Sequence, residues 1–163
     1  MTPSRVVIVL ILLGIAGLWG YALTRQPQRP PDQIDDVNFA TRAEEICAST
    51  TTARDALPQA FQTEDPAERA RVVEDSNAAL AAMLNELRAI VPAAERDHRM
   101  LSEWLDDWDA YLGDRTNYVG RLRDEGDTRI YVAEKDGRQI TVAIDRFAEV
   151  NDMASCRTPK DIS

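Results

Sequence analysis

Histidine, lysine and cysteine are all scarce in this chain of 163 residues, and each scarcity closes off a class of chemistry. His98 is the only histidine, so imidazole-based metal centres and Ser-His-Asp relays lack spare members. A lone histidine on a helix is read as an ordinary surface side chain. Lysine stands only at Lys135 and Lys160, which leaves nearly all positive charge on arginine, a bias typical of GC-rich coding and a hint of a bacterial source. With a net charge of −9 the chain lacks the clustered cations that neutralise phosphates, so no nucleic-acid partner is expected. No glycine falls between Gly20 and Gly113, and no glycine-rich phosphate cradle can be drawn anywhere. Asp106, Asp107 and Asp109 lack the turn glycine and distal glutamate of a calcium loop. Carboxylate pairs abound, but nothing singles one out for acid-base work. No catalytic residue, metal ligand or cofactor site is therefore assigned, and a non-enzyme is expected.

What is present begins with one apolar run, Val6 to Thr24, which contains no ionisable group except the Tyr21 phenol. Its length is about that of a bilayer core, so residues 6–24 are expected to be a single-pass transmembrane anchor in contact with lipid. A cleaved signal peptide is the rival, with Gly20-Tyr21-Ala22 imitating its cleavage site. The long apolar stretch and the interfacial style of Trp19 and Tyr21 favour the uncleaved anchor. Residues 1–5 are then a cytoplasmic tail, 25–36 a proline-rich extended spacer, 37–157 an extracytoplasmic domain and 158–163 a loose tail. Charge does not decide the orientation, because Arg5 precedes the run while Arg25 and Arg29 follow it. Cysteine does argue for it: Cys47 and Cys156 lie far apart, outside any CxxC or Cys/His pattern, as in a structural disulfide of an oxidising compartment. Two unrelated buried thiols are the alternative.

The domain reads as mainly α: an antiparallel helical bundle with a small β-hairpin before a short final helix. Phe39, Ala43, Ile46, Thr50, Ala53 and Leu57 mark one helix face, interrupted by Pro58. Thr63 or Asp65 caps a second helix with Pro66 in its first turn and Val73, Leu80, Leu84, Leu87 and Val91 as its stripe. Pro92 is read as a reversal, with a long kinked helix as the alternative. The third helix, Ala93 to Asp124, carries Leu101, Leu105, Trp108, Leu112, Arg115, Val119 and Leu122 at alternating spacings of four and three. Trp104, Tyr111 and Tyr118 form a second row beside it, and Glu103, Asp106, Asp107 and Asp114 a solvated acidic face.

Past Gly126 the period becomes two. A three-residue Lys135-Asp136-Gly137 loop would set Ile130 and Val132 against Val142 and Ile140, and Glu134 against Arg138, with the hairpin capping the far end of the third helix. A two-residue Asp-Gly turn, or a helix already begun at Ile140, are the alternatives.

Two features stand out from the background, Arg115 and the aromatic row. Arg115, sitting in an apolar stripe, is read as a side chain lying along the surface with its head in water. The aromatic row is read first as intramolecular packing against the final helix and hairpin. In the functional version Arg115 pairs with an anionic ligand or a partner's carboxylate, and Trp104, Trp108, Tyr111, Arg115 and Tyr118 make the interaction surface, since Trp, Tyr and Arg are enriched as interface anchors. The expected role is a non-enzymatic accessory or scaffold subunit of a bacterial envelope complex, with a protein partner there. The second reading is a ligand-binding module using the Arg115 and aromatic patch.

Overall fold

The computed structural model describes residues 3–24, 30–126 and 128–162. Residues 25–29 of the expected spacer and residues 1–2 of the expected cytoplasmic tail lie outside them. The chain divides into two units, Met1–Pro31 and Asp32–Ser163.

The first unit holds helix α1, Pro3–Thr24. Its described side chains, from Val7 to Tyr21, are exposed on every side. Among the described residues no helix is long and apolar enough to cross a membrane, so the crossing expected over 6–24 finds no support there.

The second unit is mainly helical, as expected, with α2 at Val37–Asp55, α3 at Pro66–Ala89, α4 at Glu95–Glu125 and α5 at Ile140–Val150. A two-stranded antiparallel sheet, β1 at Glu134–Lys135 and β2 at Arg138–Gln139, precedes α5. Local chemistry sets the helix starts. Asp36 Oδ1 accepts from the backbone N–H of Asn38 at 2.9 Å and of Phe39 at 3.1 Å, and Asp65 Oδ1 accepts from Ala67 at 3.1 Å, with Pro66 opening α3. Pro92 follows the end of α3, and α4 starts three residues later and packs back along it, so the chain reverses rather than kinks.

One core joins α2, α3, α4 and α5 around Trp104 and Trp108; a smaller one, built on Val73, Tyr118, Val119 and Leu122, lies between α3 and the later half of α4. Cys47 in α2 and Cys156, in a short 3-10 turn after α5, are disulfide-bonded with their Cα atoms 5.0 Å apart. Both are fully buried. The bridge closes a separation of 109 residues, for which chain-entropy reasoning gives about 4–5 kcal/mol.

The hairpin differs from expectation in register and in place. Glu134 pairs with Gln139 and Lys135 with Arg138, leaving Asp136-Gly137 as a two-residue turn in which both residues have positive φ, 54° and 72°. The apolar residues that would have aligned a longer hairpin belong instead to α5, where Ile140, Ile144, Phe147 and Ala148 share its buried face. Nor does the hairpin cap the far end of α4. Residues 128–133 run back along that helix without a strand partner: Arg121 Nη2 donates to the carbonyl of Arg129 at 3.0 Å, Asp114 Oδ2 accepts from Ala133 N–H at 2.7 Å, and Lys135 reaches Asp107 at 2.8 Å. The lengths agree, since six extended residues and fourteen helical ones both cover about 20 Å. Much of the expected solvated acidic face is thus a docking strip for the returning chain.

Candidate functional site

All five residues expected at an interaction surface are inside. Trp104, Trp108, Tyr111, Arg115 and Tyr118 are at most 5% exposed. A helix whose apolar positions span both a seam and its flank needs neighbours on two sides, and α5 and α3 supply them. Trp104 stacks on Phe147 at 5.3 Å and donates its indole N–H to the Ile144 carbonyl at 3.2 Å. Tyr118 packs in the smaller core. No aromatic row is offered to a partner.

Arg115 does not lie along the surface with its head in water. It is fully buried, and its guanidinium grips Asp161 with both ends: Nη1 to Oδ1 at 2.8 Å and Nη2 to Oδ2 at 2.9 Å. Nε donates to Asn77 Oδ1 at 2.6 Å and Nη2 to Ser76 Oγ at 3.0 Å, both from α3. Ser76 in turn donates to Asp161 at 2.6 Å, and Arg54 of α2 reaches the same carboxylate at 3.3 Å. Burial alone would raise the Asp161 pKa, but the hydrogen bonds and charge of Arg115, with help from Ser76 and Arg54, hold it at about 2. Burial pushes Arg115 down as well, and Asp161 more than offsets it, so the guanidinium ends above its ordinary value. Burial raises the Tyr111 phenol, with nearby Arg115 acting against the rise.

The partner of Arg115 therefore comes from the tail expected to be loose. Thr158 is held too, through its N–H and hydroxyl on Asp145 Oδ1 at 2.7 and 2.9 Å. The end of the expected spacer is likewise tied down. Ile34 is buried, its N–H donates to Asn151 Oδ1 at 2.9 Å, and the N–H groups of Asp35 and Asp36 donate to the buried Asp97 carboxylate at 2.9–3.1 Å. Nothing in local sequence marks these pairings, which join residues 13 to 117 positions apart.

A second polar region sits where α4, the hairpin and α5 meet. Lys135 Nζ bridges Glu103 at 2.8 Å and Asp107 at 2.8–2.9 Å, and their hydrogen bonds and charge outweigh desolvation and raise its pKa. Beside this bridge opens a cleft of about 430 Å³ whose walls include Asp32, Arg138 and Arg146 and whose apolar part includes Met100, Val142 and Ala143. Its residues come from four separate stretches of chain, so no motif spacing announces it. Elsewhere, His98 Nδ1 lies 3.5 Å from Ser102 Oγ, Asp106 is exposed, and Asp109 pairs with Arg88 on the surface. Among the described residues no group of His, Cys, Asp and Glu could hold a metal ion. No protein-family model matches the chain, and comparison with curated proteins and with solved structures gave no match.

Proposed function

We propose that the protein is a non-enzymatic accessory or scaffold subunit of a bacterial envelope complex, held at the membrane by the apolar helix α1 and displaying its helical domain outside the cytoplasm. The observation that carries this reading is the buried Cys47–Cys156 disulfide, because such bridges persist in oxidising compartments and are rare in the cytosol. The anchor rests on the sequence alone, on an apolar run over residues 6–24 whose length is about that of a bilayer core. The ligand-binding alternative at Arg115 is weakened by the same residue's hydrogen bonds, since its donors are spent on Asp161, Ser76 and Asn77 rather than turned toward a ligand.

Orientation is tested with Asn117→Cys, at an exposed position of α4. A membrane-impermeant maleimide should label this cysteine in intact spheroplasts. Labelling that appears only after lysis would place the domain on the cytoplasmic side and end this reading. The scaffold role is tested by mild detergent extraction with crosslinking at native expression. A stoichiometric envelope partner is expected; extraction of the chain alone, without crosslinked species, would remove that part.

A further inference from the structure

The cleft between α4, the hairpin and α5 holds charges of both signs that are not spent on each other. Lys135 is fully engaged by Glu103 and Asp107. Arg138 and Arg146, both exposed, have no anionic partner among the described residues, and neither the half-buried carboxylate of Asp32 nor the exposed one of Asp136 in the turn has a cationic one. Asp32 is nevertheless fixed in place, because its carbonyl accepts from Asn151 Nδ2 at 3.0 Å while the next turn is pinned on Asp97. Arg146 rises from α5, and Arg138 from the tight turn that precedes it. Both cations thus stand on ordered elements. Between the charged groups the lining turns apolar, with Met100, Val142 and Ala143, and Val142 is 43% exposed.

We propose that this cleft binds a small zwitterion of the amino-acid or short-peptide class, its carboxylate held by Arg138 and Arg146, its ammonium by Asp32, and its side chains on the apolar strip. Two unpaired cations call for an anion, and a planar guanidinium suits a carboxylate through paired N–H donors. A purely anionic ligand would leave the Asp32 carboxylate uncompensated as the cleft dried, whereas a zwitterion answers both signs at once. The volume of about 430 Å³ falls in the range of small-ligand clefts and accommodates a di- or tripeptide. The site is separate from the Arg115 network and independent of where the domain is displayed.

The test is isothermal titration of the full chain in detergent with three forms of the tripeptide Ala-Leu-Ala: free at both ends, N-acetylated, and C-terminally amidated. The free peptide should bind, and blocking either end should weaken it at least about tenfold, as loss of a charge-assisted contact does. Arg138→Ala/Arg146→Ala should weaken the free peptide at least about tenfold and leave the amidated one unchanged, while Asp32→Ala should do the same with respect to the acetylated one. Arg157→Ala, which removes a surface partner of Glu149, should change nothing. Because the two cleft arginines are exposed and unpaired, their removal should leave the melting temperature unaltered. No heat with the free peptide at about 10 mM, equal affinity for all three forms, or wild-type binding by the double arginine variant would each overturn the proposal. Tighter binding of the acetylated form would replace the zwitterion with a simple anion and would overturn it as well.

Discussion

Asp97 and Arg115 are both buried charges on α4, eighteen residues apart, and each holds a stretch of chain that has no regular structure of its own. They do so by opposite chemistry. Asp97 is met chiefly by neutral dipoles, the N–H groups of Asp35 and Asp36, with Arg96 no nearer than 3.7 Å. Arg115 is met by a full countercharge in two parallel hydrogen bonds, with Ser76 and Asn77 taking its remaining donors. One end of the domain is thus tied by backbone to carboxylate and the other by carboxylate to guanidinium. The first tie rests on where a backbone segment lies, the second on a pair of charged side chains. The two ties should therefore break differently.

The largest effect is expected at Arg115. Arg115→Ala strands Asp161, Ser76 and Asn77 around a cavity and should destabilise by about 3–5 kcal/mol in urea unfolding, as when one partner of a buried pair is removed. Asp161→Ala should be milder, about 1–2 kcal/mol, because the tail can lift and let water reach the guanidinium. Equal losses in the two variants would mean that the tail is not free to lift.

The next effect is the response of the Arg115–Asp161 tie to acid. The Asp161 pKa is depressed from 3.8 to about 2, so the unfolded chain binds this proton more readily than the folded one. The contribution is therefore fully present above pH 5 and is lost as pH falls through 4 toward 2. A shift of this size corresponds to about 2 kcal/mol. Urea midpoints of the parent chain should fall over that window, and Asp161→Asn should flatten the fall by this share. An unchanged slope in Asp161→Asn would show that the tail is not held by its charge.

How these ties relate to the sequence follows from range. The helices were legible because their signals are local: Asp65-Pro66 announces α3, and the alternation of four and three along α4 marks its buried seam. Arg115 stands out as an oddity in that seam, but its partner lies 46 residues on, in a stretch with no periodicity, so local sequence points to an arginine lying along the surface. The hairpin failed for a related reason. Ile140, Val142 and Ile144 satisfy a period of two, while Ile140, Ile144, Phe147 and Ala148 satisfy a helical one, and only the packing of α5 against α4 chooses between them. The cleft was illegible because Asp32, Arg138 and Arg146 belong to segments that meet only once α4 and the chain returning along it are in place.

Asp97 should give a smaller and more local effect. Asp97→Asn keeps the shape but takes the negative charge away from both the Asp35 and Asp36 donors and sets an amide N–H where one carboxylate oxygen stood. The expected cost is about 1–2 kcal/mol. Amide hydrogen exchange should accelerate at Asp35 and Asp36 while the amides of α3 keep their protection. Acceleration spread through α3 and α4 would mean that the segment is part of the cooperative core rather than a tie upon it.

The smallest effect is expected where geometry looks similar and burial is absent. Arg123 and Glu74 also join α4 to α3 through an ion pair, but their side chains are 47% and 55% exposed. Water screens both charges and each side chain loses rotamer freedom to meet the other, so Glu74→Ala should shift stability by no more than about 0.5 kcal/mol, and less as salt is added. A double-mutant cycle with Arg123→Ala isolates the pair. A coupling as large as that between Arg115 and Asp161 would mean that contact between α3 and α4, and not removal from water, sets the weight of an ion pair in this bundle.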